Sequence, residues 1–219
     1  MSWQQAVELA KRAGEAAAET VKSMLAQNSI STRSKNCLAL AVAQELIKSS
    51  IAHYDTRNAI AVETMYDENT GKLVSEISSL ARDAVVNTVG DNAETANMAV
   101  LFAVEALIQS VQLIDPIGGE IAQKVEELIT ESIKSELVQR CLVLATAIQM
   151  LSIWIGSCGE RVGILVQPGH DVTSSTTMRI AAMTLGTISM RSSKQEVNYA
   201  ALSAAAILVM SVSPAYATD

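Results

Sequence analysis

Residues 141–219 carry only 8 Asp, Glu, Lys or Arg side chains, against 31 in the first 140. Two stretches there, 141–159 and 197–218, hold no charge and are long enough to cross a bilayer. A helix that is apolar on every side must be surrounded by protein or by lipid. Any fold for this chain has to supply one or the other.

Flanking charge separates the two environments. If both stretches spanned a membrane with the acidic N-terminal region in the cytoplasm, the loop between them would carry Arg161, Arg179, Arg191 and Lys194 outside. The tail after the second span would carry no basic residue, which reverses the positive-inside preference. Gln149 sits within the first stretch, and Ala200, Ala201, Ala204, Ala205 and Ala206 make the second alanine-rich rather than leucine-rich. Burial in protein is therefore the preferred reading, and an integral membrane protein with an acidic cytoplasmic helical region is the alternative.

The side chains available to fill a core point to close-packed helices. Phe102 is the sole phenylalanine, aromatics make up 3%, and there are 32 alanines among 219 residues. Such small residues fill space only where backbones approach closely. The expected fold is a mostly all-α, compact bundle of six to eight helices with one or two short β segments. One domain spanning residues 1–219 fits this length, with a possible subdomain break at Asp115-Pro116-Ile117-Gly118-Gly119.

Local signals place the elements. Ser2 with Gln5 forms a capping box, and the helix it opens carries a seam at Trp3, Val7, Ala10, Gly14, Ala17, Val21 and Met24. Alternating steps of four and three give coiled-coil spacing, and the small residues in the middle admit a close partner. The residues Trp3, Val7, Ala10, Gly14, Ala17 and Val21 are thus a candidate self-association surface. Ser31 or Thr32 caps a second helix to about Tyr54. Residues 59–66 are open between strand and helix, with a hairpin to 72–74 as one option and a helix over 73–89 preferred. Gly90 stops that helix, and Asp91 or Asn92 caps the next.

Apolar positions then run Ile121, Val125, Leu128, Ile133, Leu137, Cys141, Leu144, Ile148, Leu151 and Ile155, with a single step of five. Such a seam predicts one helix of about 35 residues, roughly 50 Å long, passing from the charged half into the uncharged half. Leu144, Ile148, Leu151, Ile155, Ile207 and Leu208 are candidate core residues. Residues 162–166 read as a strand, 174–190 as a helix, and 194–213 as a last helix that Pro214 ends.

Chemistry-bearing motifs are scarce. The chain holds His53 and His170 as its two histidines, and it lacks Cys-x-x-Cys, His-Glu-x-x-His, Walker and Gly-x-Ser-x-Gly signatures. No metal or other cofactor is expected. Glu126, Glu127 and Glu131 read as a solvated helix face rather than a carboxylate metal site. The constellation that comes nearest to catalysis is Cys158 on a glycine-flanked turn with His170 and Asp171 downstream. It lacks a visible oxyanion donor, and Gly-Ser-Cys-Gly also makes an ordinary helix C-cap.

Net charge is −7, and no basic stripe is present, so direct nucleic-acid binding is not expected. Met1-Ser2-Trp3-Gln4-Gln5 lacks the pattern of a secretory leader. Cys37, Cys141 and Cys158 suit free thiols in a reducing compartment, so the expected location is cytoplasmic or within an intracellularly assembled particle. A monomer of this size would struggle to cover two helices apolar all round. The leading expectation is therefore a non-enzymatic, self-associating structural subunit of a shell, filament or virion, a homo-oligomer by that argument. A membrane protein comes second and a cysteine-dependent enzyme third.

Overall fold

A computed structural model describes residues 1–55, 61–111, 116–157, 163–167, 180, 183, 184, 186 and 193–214. Among them are seven helices: α1 (Trp3–Ala26), α2 (Thr32–Tyr54), α3 (Glu68–Val89), α4 (Ala93–Val111), α5 (Pro116–Ser132), α6 (Glu136–Ser157) and α7 (Lys194–Val212). Two short strands, β1 (Ala61–Met65) and β2 (Gly163–Gln167), accompany them. The all-α, multi-helix expectation is met.

Helix starts follow side-chain capping. Ser2 and Gln5 close the expected box around the start of α1, at 2.8 and 3.2 Å. The Ser31 hydroxyl accepts the Ser34 N–H at 3.1 Å. Asp67 accepts from Asn69 and Thr70 at the start of α3, each at 3.1 Å, and Asn92 accepts from Thr95 at 2.9 Å. Each satisfies amides that a helix N-terminus leaves open. A second capping box, Ser193 with Glu196, opens α7. Gly90 ends α3 at φ +73°, a left-handed backbone that glycine adopts without Cβ strain.

Four helices form a closed ring, in which α2 packs on α4 and α6, and α7 packs on α4 and α6. Each contains a stretch buried on every side: residues 37–44, 97–104, 141–148 and 200–206. The amphipathic α1 and α3 cover one flank of the ring, and α5 lies on α7. Among the described residues one apolar core cluster includes residues from Ala6 to Val212.

This arrangement corrects the argument that the apolar helices need outside partners. Both α6 and α7 are long and apolar enough to cross a membrane, with mean hydropathies of 1.5 and 1.2. Yet the chain itself surrounds their centres, and it surrounds α2 and α4 as well. Leu144, Ile148, Leu151, Ile155 and Leu208 are buried as expected, and Ile207 is partly buried against the core.

Close backbone approach makes the ring possible. A Cβ on Gly14 would fall on the Ala99 carbonyl oxygen and lie 2.8 Å from the Ala103 nitrogen. The middle of the α1 seam is therefore occupied by α4: Ala10, Gly14, Ala17 and Val21 are buried within the chain. Of the six residues read as a self-association surface, Val7 is partly buried and only Trp3, 49% accessible, stands exposed.

One other expectation changes. The seam over 121–155 is two helices, since α5 ends at Ser132 and α6 begins at Glu136, just past the step of five. Both helices pack on α7 and on each other. α7 has 19 residues and is about 28 Å long, too short to serve one straight 50 Å rod. Within the segment left open at 59–66, residues 61–65 form β1, which pairs antiparallel with β2, Val62 opposite Val166 and Thr64 opposite Ile164. Residues 72–74 belong to α3, in line with the preferred helix over 73–89 rather than the hairpin option. Of the helix expected over 174–190, Ile180 and Thr184 are helical, joined by a bond from the Thr184 hydroxyl to the Ile180 carbonyl at 2.6 Å.

Candidate functional site

Helix α2 concentrates polar chemistry in an otherwise apolar interior. Gln44 and Lys48, Glu45 and Ser49, and Ser49 and His53 each lie four apart, which gathers the five residues on one half of the helix. The stripe joins a buried hydrogen-bond network at one end and a cavity at the other.

In the network, Gln44 is fully buried. Its amide nitrogen donates to the Ile148 carbonyl at 2.9 Å and the Ser152 hydroxyl at 2.7 Å. Its carbonyl oxygen accepts the Tyr66 hydroxyl at 2.9 Å. Alongside, the Thr64 hydroxyl donates to Glu45, and the Lys48 ammonium reaches Glu45 at 3.0 Å and Thr64 at 3.3 Å. Burial, with the Glu45 charge adding to it, raises the Tyr66 phenol well above its usual range, and the Thr64 hydrogen bond opposes this in part. Tyr66 is therefore a neutral donor. The network ties α2 to β1 and α6, and with its groups satisfied it acts as a fastener.

The cavity, about 380 Å³, opens between the C-terminal ends of α2 and α3 and the start of α4. Ser49, His53, Arg82, Asp91 and Asn97 supply its polar lining, and Val85, Val86, Val100, Ala93 and Ala96 the apolar wall. Arg82 and Asp91 form no ion pair with any described residue. Asn97 is only 6% accessible. A larger hollow of about 710 Å³ lies where α2 and α7 begin and α6 ends. Its cation, Arg33, already donates to the Ser157 carbonyl.

Beside the first cavity, the buried hydroxyls of Ser50 and Tyr54 make no well-formed hydrogen bond to a described residue, although Asn97 faces Tyr54 closely enough to lower its phenol. The Tyr54 ring meets His53 edge-on at 5.3 Å and lies 5.6 Å beneath the Arg140 guanidinium. Burial is the main cause raising the Tyr54 phenol, with Arg140 acting against it. An unpartnered buried hydroxyl costs about 1–3 kcal/mol. Ser50→Ala and Tyr54→Phe should therefore each stabilise the protein, by about 1 kcal/mol or ~2–4 °C in Tm. Thermal unfolding followed by circular dichroism checks this, and a fall in Tm would mean that each hydroxyl has a partner.

The candidate nucleophile and its helpers, Cys158, His170 and Asp171, lie outside the described residues. Cys37 and Cys141 are buried. Burial, and secondarily the Asp55 charge, pushes the Cys141 thiol up to about 12, leaving it protonated and weakly nucleophilic at neutral pH. Among the described residues no three His, Cys, Asp or Glu side chains are placed to hold a metal ion. Glu126, Glu127 and Glu131 lie on α5, where Glu127 meets Lys124 at 3.5 Å.

Sequence reasoning missed both the network and the cavity. The polar steps along α2 are visible in the sequence, but their partners Tyr66, Arg82, Asn97 and Ser152 come from four other segments. Fold and polar groups together define an all-α bundle with a polar fastener and a charged surface cavity. No protein-family model, curated protein or solved structure matches the chain.

Proposed function

We propose that the chain is a non-enzymatic structural subunit that associates with copies of itself, as a component of a shell, filament or virion. The observation that carries this reading is the distribution of exposed large apolar side chains. Trp3 on α1, Met65 on β1, Leu80 on α3, Ile117 on α5 and Leu137 on α6 are each at least 40% accessible. Extended assemblies need two or more contact surfaces per subunit, and these residues lie on five different elements. The support thus comes from the outer layer rather than from the apolar ring helices. Single exposed apolar residues are also common on monomers, so size in solution decides.

Light scattering coupled to gel filtration at micromolar concentration should give a multiple of the 23.2 kDa chain mass. Trp3→Glu should shift the population toward smaller species. A strict monomer across that range overturns the proposal. Recovery in a carbonate-resistant membrane pellet would instead support the membrane reading, for which the length and apolarity of α6 and α7 speak.

A further inference from the structure

We propose that the cavity between α2, α3 and α4 binds a small α-amino acid with an apolar side chain. Its volume, about 380 Å³, lies at the lower end of the range for small-molecule pockets. What selects the ligand class is the charge pattern. Arg82 and Asp91 both line the cavity, and neither is neutralised by an ion pair with a described residue. A guanidinium presents a fork matched to a carboxylate, and a carboxylate accepts from an ammonium. An anion alone would meet Asp91 unfavourably, a cation alone would meet Arg82, and a neutral ligand would engage neither charge. A zwitterion satisfies both.

Asn97 adds an amide to the same wall. It is about nine-tenths buried yet lines the cavity, and its side chain also faces the Tyr54 hydroxyl, whose phenol it helps to lower. A buried amide in that position offers both donor and acceptor to a guest. Val85 and Val100, both buried, provide an apolar wall for the ligand side chain.

Isothermal titration calorimetry on the full chain tests this with L-valine, L-leucine, L-isoleucine and L-methionine. At least one should bind saturably at millimolar concentration or below. For the L-leucine pair of analogues, 4-methylpentanoate lacks the ammonium and 3-methylbutylamine lacks the carboxylate. Each should bind about tenfold more weakly or worse, the effect of losing one charge-assisted hydrogen bond. Arg82→Gln and Asp91→Asn, at exposed positions, should each weaken binding by a similar factor with unchanged circular dichroism. Absence of saturable binding for all four amino acids overturns the assignment. So does an analogue that binds as tightly as its parent, or binding that both variants leave unchanged.

Discussion

Gly14→Ala is expected to destabilise the protein by about 3 kcal/mol, although alanine is the better helix former by about 1 kcal/mol. The added Cβ would fall on the Ala99 carbonyl oxygen and lie 2.6 Å from the Phe102 Cβ and 2.8 Å from the Ala103 nitrogen. Two of these three atoms are backbone, so no rotamer change relieves the overlap. Helix α1 must move off α4, which loosens the contacts of Ala10, Ala17 and Val21 along the same seam. Against a typical total stability of about 5–15 kcal/mol, that loss is large, and Gly14→Val should exceed it.

The opposite sign is expected where glycine meets open space. A Cβ on Gly119 or Gly156 has no neighbour within 4 Å, so alanine there should stabilise the helix by about 0.5–1 kcal/mol. Gly118 precedes Gly119 in the chain but faces the other way. Its Cβ would meet the Ser203 side chain and lie 2.8 Å from the Ala204 nitrogen, so Gly118→Ala should behave like Gly14→Ala. Urea unfolding midpoints of the four alanine variants test the contrast. If Gly14→Ala and Gly118→Ala proved as stable as Gly119→Ala, the close approach of α1 to α4 and of α5 to α7 would be wrong.

The same residues show how far the sequence is legible. The seam through Gly14 announces that some backbone comes close, because small residues at three- and four-residue steps have no other packing use. It cannot name the backbone, and an intramolecular partner looks the same as a second copy. Capping is legible because it is local: Ser2, Ser31 and Gly90 act within a few residues of themselves. Burial of Leu144, Ile148 and Leu151 is legible because a stretch without charge has to be covered. Two features depend on distant residues and are therefore hidden. The strand at 61–65 finds its partner at 163–167, and the turn between α5 and α6 arises because both pack on α7. Cavity residues are hidden for the same reason, since His53, Arg82 and Asn97 meet only once three helices have docked.

Distance in sequence also conceals the fastener, whose removal should have the second large effect. Gln44→Ala is expected to cost about 3 kcal/mol, combining a cavity at a fully buried site with the loss of three hydrogen bonds. Gln44→Met separates the two contributions by keeping most of the volume while removing the amide. The Ser152 hydroxyl keeps its bond to the Ile148 carbonyl at 3.1 Å, so the main casualty is the Tyr66 hydroxyl. That hydroxyl is left with the Ala41 carbonyl at 3.3 Å, a longer and weaker acceptor. Gln44→Met should therefore cost about 1–2 kcal/mol, and adding Tyr66→Phe should return part of it, because removing both partners of a buried hydrogen bond costs less than removing one. A double-mutant cycle from urea unfolding should give a coupling of about 1–2 kcal/mol. Additive single effects would show that Gln44 and Tyr66 do not act together. In that case the polar ties of α2 to β1 and α6 would run through Glu45, Lys48 and Thr64 and through Gln44 with Ser152, not through Tyr66.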